Sequence, residues 1–439
     1  MLNSEKVNVI VKSKKGECFF RKTDIISRIK KYKNMERILI MKYNFDEYVE
    51  RRNTKSVKWD GMKEVFGTED ALSMWVADMD FLSPPEVVNA LIERAKHGVY
   101  GYTLKDEGFY NSFINWIKKR HNWEIERKWI VATPGVVSAI SLAILAFTKP
   151  SDEIILQPPV YYPFFRVVSG LGRKIVYNPL KFENGKYTMD FDDLERKING
   201  KTKMLILCSP QNPTGRVWTE EELSKLGNIC KRNDILIASD EIHADIVYKE
   251  YKHTPIASLS DFANNTITFM APSKTFNVAG LNTAMTIIQN EELLKSFSMM
   301  LENMGLGIGN VFGITASQAA YENGEEWLEA LLDYLKENLE FLKLFVAERM
   351  PQVKIVEPEG TYLVWLDFRS LNMSDEELRT FMLEKAKVAL DDGYIFGPGG
   401  SGFQRINIAT PRKLLKEGLE RMEKALNSLL SEKAGDGES

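Results

Sequence analysis

The sequence predicts an α/β protein: a large domain on a mostly parallel central sheet covered by helices, followed by a smaller α+β C-terminal domain. Three observations carry that expectation. A chain of 439 residues exceeds one ordinary small domain and suits a large domain with a smaller companion. Short β-branched runs recur between residues 129 and 288 with helix-length spacers, the pattern of strands alternating with covering helices. Beyond about Leu293 the pattern turns helix-dominated and returns to strands only later.

The first forty residues stand apart. They carry 11 Lys and Arg against 4 Asp and Glu in a chain of net charge −3, so the remaining body is acidic. That balance argues against a nucleic-acid partner. The basic segment is expected to be an upstream extension or a misassigned start, disordered or loosely helical, and its longest apolar run, Val9-Ile10-Val11, is too short for a signal core. Residues 41–85 are expected to form an N-terminal arm and the lead-in to the small domain. Within them Lys55-Ser56-Val57-Lys58-Trp59-Asp60 precedes Met74-Trp75-Val76-Ala77-Asp78-Met79-Asp80-Phe81, a strand candidate interrupted by two acids. A helix at 84–97 should follow, capped by Ser83 with Pro84-Pro85 in its first turn. The large domain is assigned to 86–300, and an aromatic loop, Tyr100-Gly101-Tyr102-Thr103, lies near its start.

A strand at 129–133 ends in Pro134-Gly135, and Val136 opens a buried helix. A Gly-led turn at a helix N-terminus offers free N–H groups and a positive dipole end to an anion, here through Gly135, Val136 and Val137. Further strands are expected at 153–157, 174–177, 204–208, 235–238, 266–270 and 284–288. Polar motifs follow several of them, at the strand ends where such sheets bind ligands: Tyr161-Tyr162, Asn212-Pro213-Thr214-Gly215, Ser239-Asp240-Glu241-Ile242-His243 and Ala271-Pro272-Ser273-Lys274. Residues 301–430 should hold a linking helix at 325–350, strands and turns at 360–367, 394–400 and 405–412, and a last helix to about Leu430. A loose tail, 431–439, is expected after it. Three scattered cysteines and four histidines without an i,i+4 pair support neither a disulfide framework nor a metal site. No stretch approaches the length of a membrane span, and a cytoplasmic protein without membrane or metal partners is expected.

Lys274 stands in an otherwise uncharged stretch of small and apolar residues. Desolvation there lowers an amine's pKa and frees it as a nucleophile. Asp240 ends another apolar strand upstream. Pyridoxal phosphate needs such a pair, a lysine for its aldehyde and a carboxylate for its ring nitrogen. With the Asn212 turn between strands, these segments resemble the cofactor site of the fold-type-I pyridoxal-phosphate enzymes, the aspartate aminotransferase superfamily, from about Met41 to about Leu430. Trp75-Val76-Ala77-Asp78-Met79-Asp80-Phe81, preceded by Lys58-Trp59-Asp60, resembles the corresponding segment of the MalY/PatB class of cystathionine β-lyases.

The resemblance implies roles residue by residue. Lys274 carries the cofactor, Asp240 holds its ring nitrogen, Asn212 donates to its phenolic oxygen, Tyr161 stacks on the ring, and the backbone of Gly135, Val136 and Val137 receives the phosphate. Tyr102 reaches across a homodimer interface to the partner's phosphate. Arg405 lies in an apolar strand, where a guanidinium wants a bidentate acid partner; its superfamily counterpart clamps the substrate α-carboxylate, and Arg412 is given a structural role. Asp78, Met79 and Asp80 lie near the substrate. Three positions depart from typical aminotransferases: His243 replaces a tyrosine, Asn282 an arginine on the phosphate, and Ala271 a hydroxyl residue. Ser273 and Tyr102 are left as phosphate holders. On sequence alone, paired tyrosines also simply pack, Asn-Pro-x-Gly is also a good turn, and His243 is also a packed neutral histidine.

The departures agree with a pyridoxal-phosphate-dependent cystathionine or cysteine-S-conjugate β-lyase. Such an enzyme takes a small amino-acid substrate to a thiol such as homocysteine, pyruvate and ammonia. An aminotransferase of aromatic or aliphatic amino acids is the alternative. A regulatory binding protein retaining the fold is a third, which loss of Lys274 or Asp240 would signal; both are present.

Overall fold

The computed structural model describes residues 9–13, 16–20 and 43–436. The chain divides into two compact units, Met1–Phe45 and Asp46–Ser439. In the first, Val9–Ser13 and Gly16–Phe20 pair as an antiparallel hairpin with Val11 opposite Cys18. This corrects the expectation of loose or helical chain there: the β-branched run and the aromatic pair Phe19-Phe20 favour strands. The rest of that extension up to residue 42 lies outside the described residues.

The second unit is built on a seven-stranded sheet. In chain order its strands are β1 (Ile130–Thr133), β2 (Glu153–Leu156), β3 (Lys174–Tyr177), β4 (Thr202–Cys208), β5 (Leu236–Asp240), β6 (Thr266–Met270) and β7 (Ala284–Ile288). Their spatial order is β1-β7-β6-β5-β4-β2-β3, parallel except that β7 runs against both its neighbours. Side-chain alternation sorts the core into two layers. Ile154, Leu156, Met204, Ile206 and Ala238 pack with Ile140, Ala143 and Ile144 of helix α1 (Val136–Phe147). Ile155, Leu205, Leu207 and Ile237 face the other way, onto Leu223, Leu226 and Ile229 of helix Glu220–Arg232. Asp240 shares its parity with Ala238, so it ends β5 on the α1 side.

Helix α2 (Glu325–Arg349) leads to a four-stranded antiparallel sheet of β8 (Lys354–Val356), β9 (Leu363–Asp367), β10 (Asp391–Asp392) and β11 (Phe403–Asn407), ordered β8-β9-β11-β10. Helix α3 (Arg412–Asp436) closes the fold. Arg412 opens that helix and donates from Nε to Asn338 of α2 at 2.5 Å, a structural contact. Upstream, Leu72–Ser73 pairs with Val388–Ala389, so the early chain is stitched beside the second sheet.

Some boundaries differ from expectation. β5 runs on to Asp240, because β4 and β6 continue to pair with it as far as Cys208 and Phe269. Ser83 does not cap the helix Pro85–Lys96; its hydroxyl donates instead to the Asn277 carbonyl at 3.0 Å. The expected loose tail, 431–439, is helical to Asp436, as Glu432-Lys433-Ala434 allow; residues 437–439 lie outside the described residues.

Candidate active site

A pocket of about 310 Å³ opens where β4, β5 and β6 end and α1 begins. Of the residues expected in a site, Gly135, Val136, Val137, Tyr161, Asn212, Asp240, His243, Ser273 and Lys274 line it. They come from five separate segments. What unites them is position at strand ends, where a parallel sheet leaves room above its last residues.

Lys274 lies in the single turn Pro272–Thr275 that follows β6, and its Nζ donates to the Ala77 carbonyl at 2.6 Å. Burial brings the amine down to about 8; Asp78 and Asp240 oppose that shift and Arg405 adds to it. Asp240 is pushed the other way, up to about 7, by burial. Its Oδ1 accepts from the Ile242 N–H at 3.1 Å, and it forms no ion pair among the described residues. His243 is buried with an unpartnered Nδ1, and burial, with Lys274 and Arg405 nearby, takes it down to about 3, so the ring is neutral.

The N-terminus of α1 faces the same space. Gly135 is its N-cap and supplies no side-chain cap, so the first N–H groups of the helix remain available to a ligand. A Cβ placed on Gly135 would meet no atom within 4 Å. Of the two adjacent tyrosines, Tyr162 packs edge-on against Phe396 at 5.6 Å, while Tyr161 takes the pocket wall with Phe164 edge-on behind it at 5.5 Å.

Arg405, 2% exposed, does not line this pocket but reaches its wall, donating from Nη1 to Asn212 Oδ1 at 2.9 Å. Its Nη2 bonds the Trp75 carbonyl at 2.9 Å and pairs with Asp391. The acid partner that a buried guanidinium requires was foreseeable; its position, on the neighbouring strand β10, was not.

The expectation for Met79 and Asp80 needs correction. Asp80 is buried under Lys58 at 2.7 Å, Arg51 at 2.8 Å and Trp59 Nε1 at 3.0 Å, which fixes the arm rather than facing the pocket. Met79 is buried too, its N–H donating to Asn277 Oδ1 at 3.0 Å. Only Asp78 keeps partial exposure, gripped by Arg51 through two bonds of 2.7 and 3.0 Å. The group from this segment that touches Lys274 is the Ala77 carbonyl, which also accepts from the Tyr362 hydroxyl at 2.9 Å. Asn407 bonds the carbonyls on either side, Val76 at 2.7 Å and Asp78 at 2.6 Å. Sequence reasoning missed Ala77, Tyr362 and Asn407, because a backbone acceptor has no side-chain signature; the Arg405-x-Asn407 spacing, one face of a strand, was the available hint.

Tyr102 lies outside the pocket of its own chain and is 93% exposed. Asn282 lines the pocket without being buried.

Behind the lysine and the acid lies a buried polar layer. Asp245 accepts from Thr275 Oγ1 at 2.8 Å and Trp116 Nε1 at 3.1 Å, and meets His121 Nε2 at 2.9 Å. Glu241 accepts from Ser239 Oγ at 2.8 Å and meets His253 Nε2 at 2.8 Å. The two histidine rings touch edge-on at 5.5 Å. Thr275 adjoins Lys274 and Glu241 adjoins Asp240, so this layer fixes both backbones at once.

An uncapped helix start, a buried acid without a cation, an orphaned ring nitrogen and an amine of lowered pKa fit pyridoxal phosphate: anion, pyridinium, phenolic oxygen and aldehyde each have a counterpart.

Comparison with known proteins points the same way. Residues 69–422 match the family described as aminotransferase class I and II. The chain is 46% identical over 386 residues to cystathionine beta-lyase PatB of Bacillus subtilis, covering 88% of this chain and 100% of that protein. It is 33% identical to protein MalY of Escherichia coli, covering 88% and 100%. The structure superposes on cystalysin from Treponema denticola, which contains a pyridoxal 5'-phosphate cofactor, with TM-score 0.86 and 39% identity over 88% of this chain and 99% of that one.

Proposed function

The chain belongs to the aminotransferase class I and II family, and on that premise we propose that it is a pyridoxal-phosphate-dependent β-lyase acting on carbon–sulfur bonds of amino acids such as L-cystathionine. The observation that carries this reading is Lys274 and Asp240 in one pocket with opposite pKa shifts, beside Asn212 and Arg405. The lyase-named relatives support elimination over transamination.

Lys274 would carry the cofactor and Asp240 would hold its ring nitrogen. Asn212 and His243 would serve the phenolic oxygen, Tyr161 the ring face, and Gly135, Val136, Val137 and Ser273 the phosphate, with the partner's Tyr102 completing it. When bound, pyridoxal phosphate supplies the sink for the electron pair left at Cα. Arg405 would fix the α-carboxylate, which orients Cα toward the lysine. A neutral Lys274 amine then takes the Cα proton, a role its depressed pKa suits near neutrality. The Ala77 carbonyl steadies that amine, and Tyr362, bonded to the same oxygen, keeps the carbonyl aimed. Carrying the proton it has taken, Lys274 is also an acid available to the departing sulfur.

The exposed run Val99, Tyr100, Tyr102 and Leu104 supports a homodimer with the site at the interface. Division into an arm at 41–85, a cofactor domain at 86–300 and a small domain at 301–430 is part of the same reading. Among the described residues no helix is long and apolar enough to cross a membrane, and Cys208 and Cys230 are buried free thiols, which suit a cytoplasmic setting.

The test is pyruvate release from L-cystathionine by the holoenzyme with no keto acid added. Equal yields of pyruvate and homocysteine are expected. Activity appearing only when a keto acid is supplied would replace elimination by transamination.

A further inference from the structure

Arg405 and Asp391 stand directly opposite one another on β11 and β10, and both are buried, 2% and 4% exposed. The donors of Arg405 are unevenly used. Nη2 carries the ion pair to Asp391 and the bond to the Trp75 carbonyl, which engages both of its hydrogens. Nη1 has one bond, to Asn212. Nε is buried with no partner.

A guanidinium grips a carboxylate through two parallel bonds from neighbouring nitrogens. The two forks facing away from the side-chain stem are Nη1 with Nη2 and Nε with Nη2; both need Nη2. An amino-acid carboxylate therefore cannot be gripped by either while Asp391 and Trp75 hold that nitrogen. Trp75 offers a neutral carbonyl, and Asp391 a charge of the same sign as the incoming group.

We propose that Asp391 is a positioning residue that acts as a built-in competitor for the substrate α-carboxylate. It keeps Arg405 paired while the site holds no amino acid, and yields Nη2, taking up a proton, when a carboxylate binds. The inference rests on Arg405 being the carboxylate clamp. Its logic is charge balance: a buried guanidinium without a counter-ion is strongly unfavourable, and two buried carboxylates on one guanidinium leave one charge unpaired. The groups bearing on Asp391 are Arg405, its neighbour Asp392 and the hydroxyls of Tyr161 and Tyr162. Asp392 is itself held by Arg379 and Gln404. Burial raises Asp391 to about 6 even with Arg405 opposing that rise, so loss of the pair leaves an acid ready to be protonated near neutral pH.

The experiment uses the pyridoxal-phosphate-loaded enzyme and two unreactive probes, 3-(methylthio)propanoate and its amide, titrated calorimetrically in buffers of different ionisation enthalpy. The wild type should take up nearly one proton on binding the acid, and bind it up to about tenfold tighter per unit of falling pH above neutrality. Asp391→Asn should bind the acid about tenfold or more tighter at pH 8 without proton uptake, while binding of the amide stays unchanged. Weaker acid binding by Asp391→Asn with an unchanged melting temperature would overturn the competitor role, as would uptake that persists in that variant. Should Asp391→Asn fail to fold, Asp391→Ser is the second variant, and absence of proton uptake by the wild type alone refutes the proposal. Arg405→Gln separates the premise: if it keeps the preference for acid over amide, the clamp assignment itself is wrong.

Discussion

Lys274 and Asp240 are perturbed in opposite directions by one cause, removal from water, and each shift has a measurable consequence. With its amine at about 8, cofactor-free protein should incorporate pyridoxal phosphate faster as pH rises and level off above about 8. Stopped-flow absorbance would read this, and a rate still climbing beyond pH 9 would mean an ordinary lysine. Lys274→Ala should lose lyase turnover altogether, measured as pyruvate release. For Asp240 the sign is that of an acid whose folded pKa, about 7, lies above its usual 3.8. Its burial costs stability fully above the folded value and nothing below the unfolded one. Asp240→Asn should therefore stabilise the cofactor-free protein at pH 8 by on the order of a few kcal/mol in chemical denaturation, with the gain fading toward pH 4. The same change should lower kcat of the loaded enzyme about a hundredfold or more. These two residues were legible in the sequence because a lysine in an uncharged stretch and an acid at the end of an apolar strand are unusual company. Asp80 misled, since an acid in that segment can as readily bury itself under Lys58 and Arg51 as face a pocket.

At the scale of elements, strands declare themselves better than their ends do. The runs at 266–270 and 284–288 coincide with β6 and β7, being β-branched and apolar on both faces. β5 was harder: Asp240 is polar, yet pairing to β4 and β6 extends the strand over it. The turn before α1 was readable, because Pro134-Gly135 can only interrupt, whereas Ser83 looked like a cap and bonds elsewhere. Gly135 sets an expectation of its own. Its open surroundings and extended φ of 165° tolerate a side chain, so Gly135→Val should leave the cofactor-free melting temperature unchanged and raise the Kd for pyridoxal phosphate about tenfold, by fluorescence titration. The polar layer behind β5 and β6 was invisible in the sequence, since His121, Trp116 and Thr275 come to Asp245 from distant parts of the chain. Thr275→Val should cost about 1–3 kcal/mol in chemical denaturation, by depriving buried Asp245 of a donor.

For the whole molecule the α/β class, its mostly parallel sheet and its cofactor follow from rhythm and motif order, while assembly rests on surface. The exposed group Val99, Tyr100, Tyr102 and Leu104 is the surface on which the proposed homodimer is tested. If the chain pairs there as proposed, the wild type sediments as a dimer and Leu104→Asp should halve that mass. Lys274→Ala and Tyr102→Ala variants, each impaired alone, should regain activity when mixed dimers form, because one site of each mixed pair is intact. Failure to complement would place Tyr102 outside the site. The carbonyls of residues 75–79 have a further consequence, in time rather than space. Their donors include Tyr362, Arg405 and Asn407, and Trp75 is made 330 residues ahead of Arg405. Lys58 and Lys274 can reach the Asp78 and Ala77 carbonyls earlier, but those of Trp75 and Val76 wait for the last part of the chain to leave the ribosome. A nascent chain thus acquires the lysine and acid that hold the cofactor well before the arginine that recognises a substrate, and the catalytic centre is completed only by the final strand.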